Sequence, residues 1–177
     1  MTATIRKIVF CFLALLFVSP LSGRAQRRDP LTPGEVDELR DAAQDPETRL
    51  KLFIKFARAR LDSLQQMRAD PKVTDRAQQT HDLLQEFLDV YDELNDNIDT
   101  FVDRRADIRK PLRNLIEADN EFQAKLRALK DAADASKAEA EKYRFLLDSA
   151  LDTVDTGSQD HRQLLVEEEE AVKRKKK

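Results

Sequence analysis

Two long apolar heptad tracks, at residues 77–108 and 112–154, constrain this fold more than any other feature of the sequence. Within them, apolar side chains recur alternately three and four residues apart, as at Phe122, Leu126 and Leu129. A strand cannot use that period, whereas a helix that turns one seam toward a partner helix requires it. The tracks therefore predict two long helices whose seams are buried against other helices.

Capping residues and prolines predict where the first helices begin and end. Thr32 precedes Pro33, and Glu35 completes a capping box, so we expect a short helix at about 33–43. The next helix, predicted at about 46–69, begins after an aspartate and ends before an Asp-Pro pair, where helical backbone is disfavoured.

The two heptad tracks predict a third helix at about 74–109 and a fourth at about 111–154. Pro111 opens the fourth helix, and Gly157 is expected to end it because glycine commonly follows a helix C-terminus. Short connections join antiparallel neighbours, so the two should form a long antiparallel hairpin with helix 46–69 packed along it. The predicted fold class is all-α, a coiled-coil-like three-helix bundle with a further short N-terminal helix.

The N-terminus, residues 1–25, has the pattern of a secretory signal peptide. Two basic residues precede an apolar run at 8–18, and such a run is too short for a membrane-spanning helix of about 20 residues. Gly23 and Ala25 supply small side chains at the −3 and −1 positions of a cleavage site, so Gln26 should begin the mature chain. An uncleaved membrane anchor is the alternative.

Cleavage would leave a bundle domain at 26–157 and a charged tail at 158–177, which we expect to be a frayed helix. Cys11, the only cysteine, lies in the removed segment, so the mature chain could form no disulfide or cysteine metal site. Lipid attachment at Cys11 is disfavoured because the bulky Phe10 precedes it. The expected location is the periplasm or the extracellular space, with no stable membrane insertion after cleavage.

The charge balance of residues 26–177 bears on the class of partner. Without the three basic residues of the N-terminal segment, 28 basic residues face 34 acidic ones. Binding to phosphate backbones needs a basic field, so we expect no nucleic-acid partner.

No catalytic, cofactor-binding or metal-binding residue is assigned from the sequence. His81 and His161 lack a second ligand at helical spacing, so each is predicted to lie on the surface or at a seam edge. The mature chain's serines lack the glycine-flanked turn that exposes a nucleophile; they are Ser63, Ser136, Ser149 and Ser158. We therefore expect neither an enzyme nor a cofactor.

Two charged features have both a structural and a binding interpretation. An acidic stripe along the third helix lacks the loop of a calcium site, so a solvated or salt-paired face is favoured. Its members are Asp82, Glu86, Asp89, Glu93, Asp96 and Asp103. Basic residues cluster at the predicted turn and in the tail; they are Arg104, Arg105, Arg109, Lys110, Lys173, Arg174, Lys175, Lys176 and Lys177. Helix-end stabilisation explains the first group, and the tail could also bind anionic envelope polymers or lipid head groups.

Two short segments carry a resemblance to exported bacterial proteins. Residues 31–35, Leu-Thr-Pro-Gly-Glu, resemble the Leu-Thr-x-x-Gln motif of periplasmic stress-chaperone families, although Glu35 replaces the glutamine and the motif occurs once. Segments 45–50 and 56–61 resemble helix-opening segments of exported α-helical proteins of unknown function. The resemblance implies an exported helical protein and names no activity.

The function expected from these features is that of an exported, non-enzymatic helical protein that acts through contacts with another protein or the cell envelope. A second copy of the chain is one such partner, since pairing would cover the alanine-rich distal half of the fourth helix. The alternative is a periplasmic holdase-type chaperone that holds unfolded clients between apolar patches and charged rims. The identity of the partner stays open.

Export predicts cleavage after Ala25. When the full chain is made in a secreting host, mass spectrometry of the intact protein should show an N-terminus at or near Gln26. A chain that keeps residues 1–25 and stays in the membrane fraction would contradict this prediction.

Overall fold

The computed structural model describes residues 29–175, so the predicted signal peptide lies outside the described residues. The described chain is all-helical and contains no strand, which confirms the all-α part of the predicted fold class. Its helices are α1 (Pro33–Asp41), α2 (Pro46–Ala69), α3 (Arg76–Asp103), α4 (Arg109–Ala135), α5 (Lys137–Ala140) and α6 (Arg144–Lys175). Within 29–175, no helix is both long and apolar enough to cross a membrane.

The short helix α1 is fixed against α2 by its capping box and by Arg60. The Thr32 hydroxyl accepts a hydrogen bond from the Glu35 backbone at 3.3 Å, and the Glu35 carboxylate accepts one from the Thr32 backbone at 2.8 Å. Arg60 of α2 donates to both Glu35 oxygens and to the carbonyl of Pro30. Burial raises the pKa of the Glu35 carboxyl, but the hydrogen bonds from Arg60 and Thr32 outweigh burial and leave that pKa lowered.

The four long helices form two antiparallel hairpins. The first is α2 with α3, where Arg49 Nε donates to Asn97 Oδ1 at 2.6 Å. The second is α4 with α6, where Lys130 pairs with Asp148 at 2.6 Å. Each hairpin buries an apolar seam, as the heptad tracks predict.

The hairpins pack side by side as a four-helix bundle, with α2 next to α4 and α3 next to α6. Arg58 pairs with Glu121 at 2.9 Å, and one turn later Asp62 pairs with Lys125 at 2.5 Å, so α2 and α4 run in the same direction. Helices α3 and α4 run antiparallel but do not form the predicted hairpin, because they lie diagonally across the bundle and meet through core side chains. The observed four-helix arrangement therefore differs from the predicted three-helix bundle.

The second heptad track folds back on itself, whereas we predicted one helix over 111–154. Non-helical backbone at Ser136 ends α4, and a turn at 141–143 precedes α6. The reason lies in length: α3 has 28 residues and spans about 42 Å, whereas a helix over 111–154 would span about 66 Å. Folding back gives the distal seam, including Tyr143 and Leu147, a partner in α4.

Gly157 lies inside α6, so the prediction that it ends a helix is wrong. A Cβ atom at this position would lie 2.6 Å from the hydroxyl oxygen of Tyr91, so glycine lets α6 approach the buried ring. The helix continues to Lys175, and the boundary predicted at residue 157 therefore falls within one element. Residues beyond it pack on α4, since His161 is buried and Arg113 pairs with Glu169 at 2.5 Å.

Gly157→Ala should destabilise the fold even though alanine is the better helix former. The added methyl group must displace Tyr91, and overpacking of this kind costs about 1–3 kcal/mol, which exceeds the roughly 1 kcal/mol gained in helix propensity. Urea unfolding followed by circular dichroism would measure the change. Gly34→Ala, in α1, is the matched control because no atom lies within 4 Å of the added Cβ. Equal gains in stability from both substitutions would contradict this account of Gly157.

Candidate functional site

A chain of four polar side chains crosses the core of the bundle. The Tyr91 hydroxyl donates to Asp119 Oδ1 at 2.9 Å, and Asp119 Oδ2 lies 2.8 Å from His161 Nδ1. His161 Nε2 lies 3.1 Å from Asn95 Oδ1. Tyr91 and Asp119 are fully buried, and His161 is only 4% exposed. We call this set the polar chain; it joins α3, α4 and α6.

The heptad spacing of three helices brings the polar chain together. Asp119 occupies a seam position of α4, one turn before the buried Phe122, and Tyr91 occupies a seam position of α3. His161 extends the buried face of α6 one step beyond Ser158. Each side chain therefore points inward for the same geometric reason as its apolar neighbours.

Hydrogen-bond geometry limits the donor and acceptor roles in the polar chain. A carboxylate oxygen accepts hydrogen bonds, so the His161 tautomer that carries a proton on Nδ1 donates it to Asp119 Oδ2. Burial and the charge of Asp119 raise the pKa of the Tyr91 hydroxyl, so Tyr91 remains a donor. Both oxygens of the buried carboxylate thus have a donor, which removes most of the cost of burying it.

An aspartate that orients a histidine also occurs in hydrolytic triads, where a substrate must be able to reach the pair. The free nitrogen of such a histidine must face a nucleophile or a reacting group. Here Nε2 faces Asn95, and the imidazole is almost completely covered. The Ser158 hydroxyl is buried and makes no hydrogen bond within the described residues. The geometry suits a cross-link between helices better than a reaction centre.

Sequence reasoning assigned no role to the polar chain and predicted His161 at the surface or a seam edge. The structure places His161 in the core instead. Two signals could have found it: Asp119 interrupts an apolar seam and so requires a donor, and His161 continues the spacing of Ala150 and Val154 beyond Gly157.

The remaining candidates of the sequence analysis are spread over the surface. In the acidic stripe, Glu86 lies 3.6 Å from Arg60, and Asp82 and Asp89 accept hydrogen bonds from glutamines one turn away. His81 lies beside Asp82, on the outer face of α3. Among residues 29–175, no group of three or more histidine or carboxylate side chains is placed to hold a metal ion.

Two open grooves follow the parallel pair α2 and α4. The apolar groove, about 320 Å³ in volume, is lined by Leu61, Leu64, Gln65, Arg68, Lys125, Leu126, Ala128, Leu129 and Ala132. The mixed groove, about 730 Å³, lies nearer the start of α2 and has charged side chains among its walls. The ion pairs Arg58–Glu121 and Asp62–Lys125 lie between the two grooves.

No protein-family model, no curated protein and no solved structure matches this chain. Function is therefore inferred from the residues and their geometry.

Asp119→Ala should be strongly destabilising because it leaves the Tyr91 hydroxyl and the His161 ring buried without their acceptor. Each buried donor left without an acceptor costs about 1–3 kcal/mol of unfolding free energy, and two side chains lose theirs here. Asp96→Ala, on the exposed face of α3, should change that free energy by under about 0.5 kcal/mol. Urea denaturation of both variants gives the comparison, and similar losses from the two would show that the polar chain contributes little.

Proposed function

We propose that this chain is an exported, non-enzymatic helical protein that acts through contacts with another protein or a component of the cell envelope. The observation that carries the proposal is the contrast between core and surface. The side chains of Tyr91, Asp119 and His161 are buried and bonded to one another, whereas the α2–α4 face offers open grooves. Such a face supports binding rather than chemistry.

The apolar groove supports recognition of apolar side chains on a partner. Leucines form its floor, and the small side chains of Ala128 and Ala132 keep it open. Its two cations already have partners, since Arg68 pairs with Glu139 and Lys125 pairs with Asp62. A partner helix that inserts apolar side chains would therefore find a floor to bury them and no unpaired charge to satisfy.

Export is the second part of the proposal. It is supported by the apolar run at 8–18, the small residues before Gln26 and the resemblance of residues 31–35 to a periplasmic chaperone motif. A periplasmic or extracellular location fits the proposed contact with the envelope.

Site-specific photo-crosslinking in intact cells tests the contact function. A photoreactive amino acid at Gln65, in the apolar groove, should give discrete adducts, whereas one at the exposed Asp152 of α6 should not. Ala132→Arg would fill the groove from an exposed position and should abolish the adducts. Ala124→Arg, exposed on the same helix outside the groove, is the matched control. Adducts that persist in the Ala132 variant would refute binding in this groove.

A holdase-type chaperone is the second candidate, favoured by one observation. Phe145 is 88% exposed at the start of α6, beside a surface depression lined by Lys137, Glu141, Arg144 and Asp148. An exposed aromatic ring with a charged rim suits unfolded clients. Suppression of client aggregation at stoichiometric amounts, measured by light scattering and lost in Phe145→Ser, would favour this candidate over the first.

A further inference from the structure

One end of the bundle gathers basic side chains from several helices. Residues 103–113 hold five basic and two acidic residues, and residues 171–177 hold five basic and no acidic ones. Arg113 pairs with Glu169, so one turn further along each antiparallel helix Arg109 and Lys173 reach the same level. We call this layer the basic end; its described members are Arg104, Arg105, Arg109, Lys110, Lys173 and Arg174.

Helix-end stabilisation accounts for only part of the basic end: Arg104, Lys173 and Arg174 lie at helix C-termini, which favour cations. Arg109 and Lys110 lie in the first turn of α4, where the helix dipole favours acidic side chains, and they pair with Asp107 and Glu47. Arg104 and Arg105 are exposed, and no ion pair joins either of them to an acidic side chain within residues 29–175. Burial lowers the pKa of the Arg49 guanidinium, and the charge of Arg104 lowers it further, so like charges are crowded here.

Arg105 gives a second, independent sign that stability is not what selects these residues. After α3, the amide of Ala106 bonds the carbonyl of Phe101, and the amide of Arg105 bonds that of Val102. This is a Schellman motif, whose left-handed position is usually glycine. Arg105 occupies that position with φ of 55°, which disfavours a residue with a Cβ atom. Glycine would be the more stable choice, so the charge itself needs another explanation.

We propose that the basic end binds an anionic lipid surface, with the bundle standing away from it. The inference rests on the envelope contact proposed above and names the component contacted. A planar surface would meet this end of the bundle, where the basic residues outnumber the acids Asp45, Glu47 and Asp107 beside them. Each cation near anionic lipid adds attraction.

The surroundings of the basic end favour a lipid surface over a flexible polyanion. Asp96 and Asp99 of α3 and the acidic run at 167–170 of α6 lie directly behind it. A polymer that wrapped around the sides would meet these acids, whereas a flat membrane would not. Residues 103–113 and 171–177 also contain no aromatic side chain on which nucleic-acid bases could stack.

Co-sedimentation with vesicles tests the proposal, using residues 26–177 because the apolar run at 8–18 would itself bind lipid. The bundle described here lies wholly within that span. We expect binding to phosphatidylcholine vesicles only when they contain phosphatidylglycerol, with affinity falling as salt is added. Arg105→Gly should leave the melting temperature unchanged or raised, while vesicle affinity falls about fivefold. Adding Arg104→Gln should give a total fall of about 25-fold.

Lys72→Gln, exposed in the turn at the opposite end of the bundle, is the matched control and should keep full vesicle affinity. Equal losses from the Lys72 and Arg105 variants would indicate a general charge effect and overturn the assignment. Binding to a soluble anionic polymer but not to vesicles would also overturn it. The vesicle assay does not depend on export or on the apolar groove. If vesicle binding fails while the crosslinked adducts at Gln65 still form, only the lipid inference is refuted.

Discussion

The buried carboxylate of Asp119 is the constraint on which the arrangement of the helices depends. An unpaired charge at that depth would be very costly, so α4 can pack only where other helices supply donors. Tyr91 supplies one from α3 across the diagonal, and His161 supplies the other from the neighbouring α6. Sliding either helix by one heptad, about 10.5 Å, would remove a donor. Apolar seams tolerate such a slip more easily, because a heptad seam looks alike one repeat further on.

Gly157 couples this polar requirement to the packing of the backbone. The Tyr91 hydroxyl can reach Asp119 only if the ring occupies the space beside α6, and a side chain at residue 157 would close that space. The rings of Phe87 and Phe122 hold Tyr91 from the other sides, at centroid distances of 5.9 and 6.3 Å. The polar chain and the aromatic packing therefore select the same register, which is the mutual support expected of a uniquely folded core.

The sequence predicted what depends on neighbouring residues and missed what depends on distant ones. The capping box at Thr32 and Glu35 and the Asp45-Pro46 start are local signals, and both helices begin where they indicate. Seam positions such as Leu112, Phe122 and Val154 are buried because a heptad period defines a face. The chain reversal at Ser136 is not marked by a glycine or proline in the sequence. It follows from the limited length of α3. Gly157 and His161 acquire their roles only from Tyr91 and Asp119, which lie on other helices.

Two departures from local preference, at Asp119 and at Arg105, differ in how they are compensated. Asp119 places a charge in an apolar seam, and the fold itself compensates by giving both oxygens a donor. Arg105 has a Cβ atom and yet adopts the left-handed backbone conformation, with φ of 55°. Within the described chain, its guanidinium pairs with no acidic side chain. When contacts within the fold offset the free-energy cost of an unfavourable residue, that residue is explained by the fold. When no contact offsets the cost, a functional reason for the residue is indicated. By that criterion an external partner is expected at the basic end.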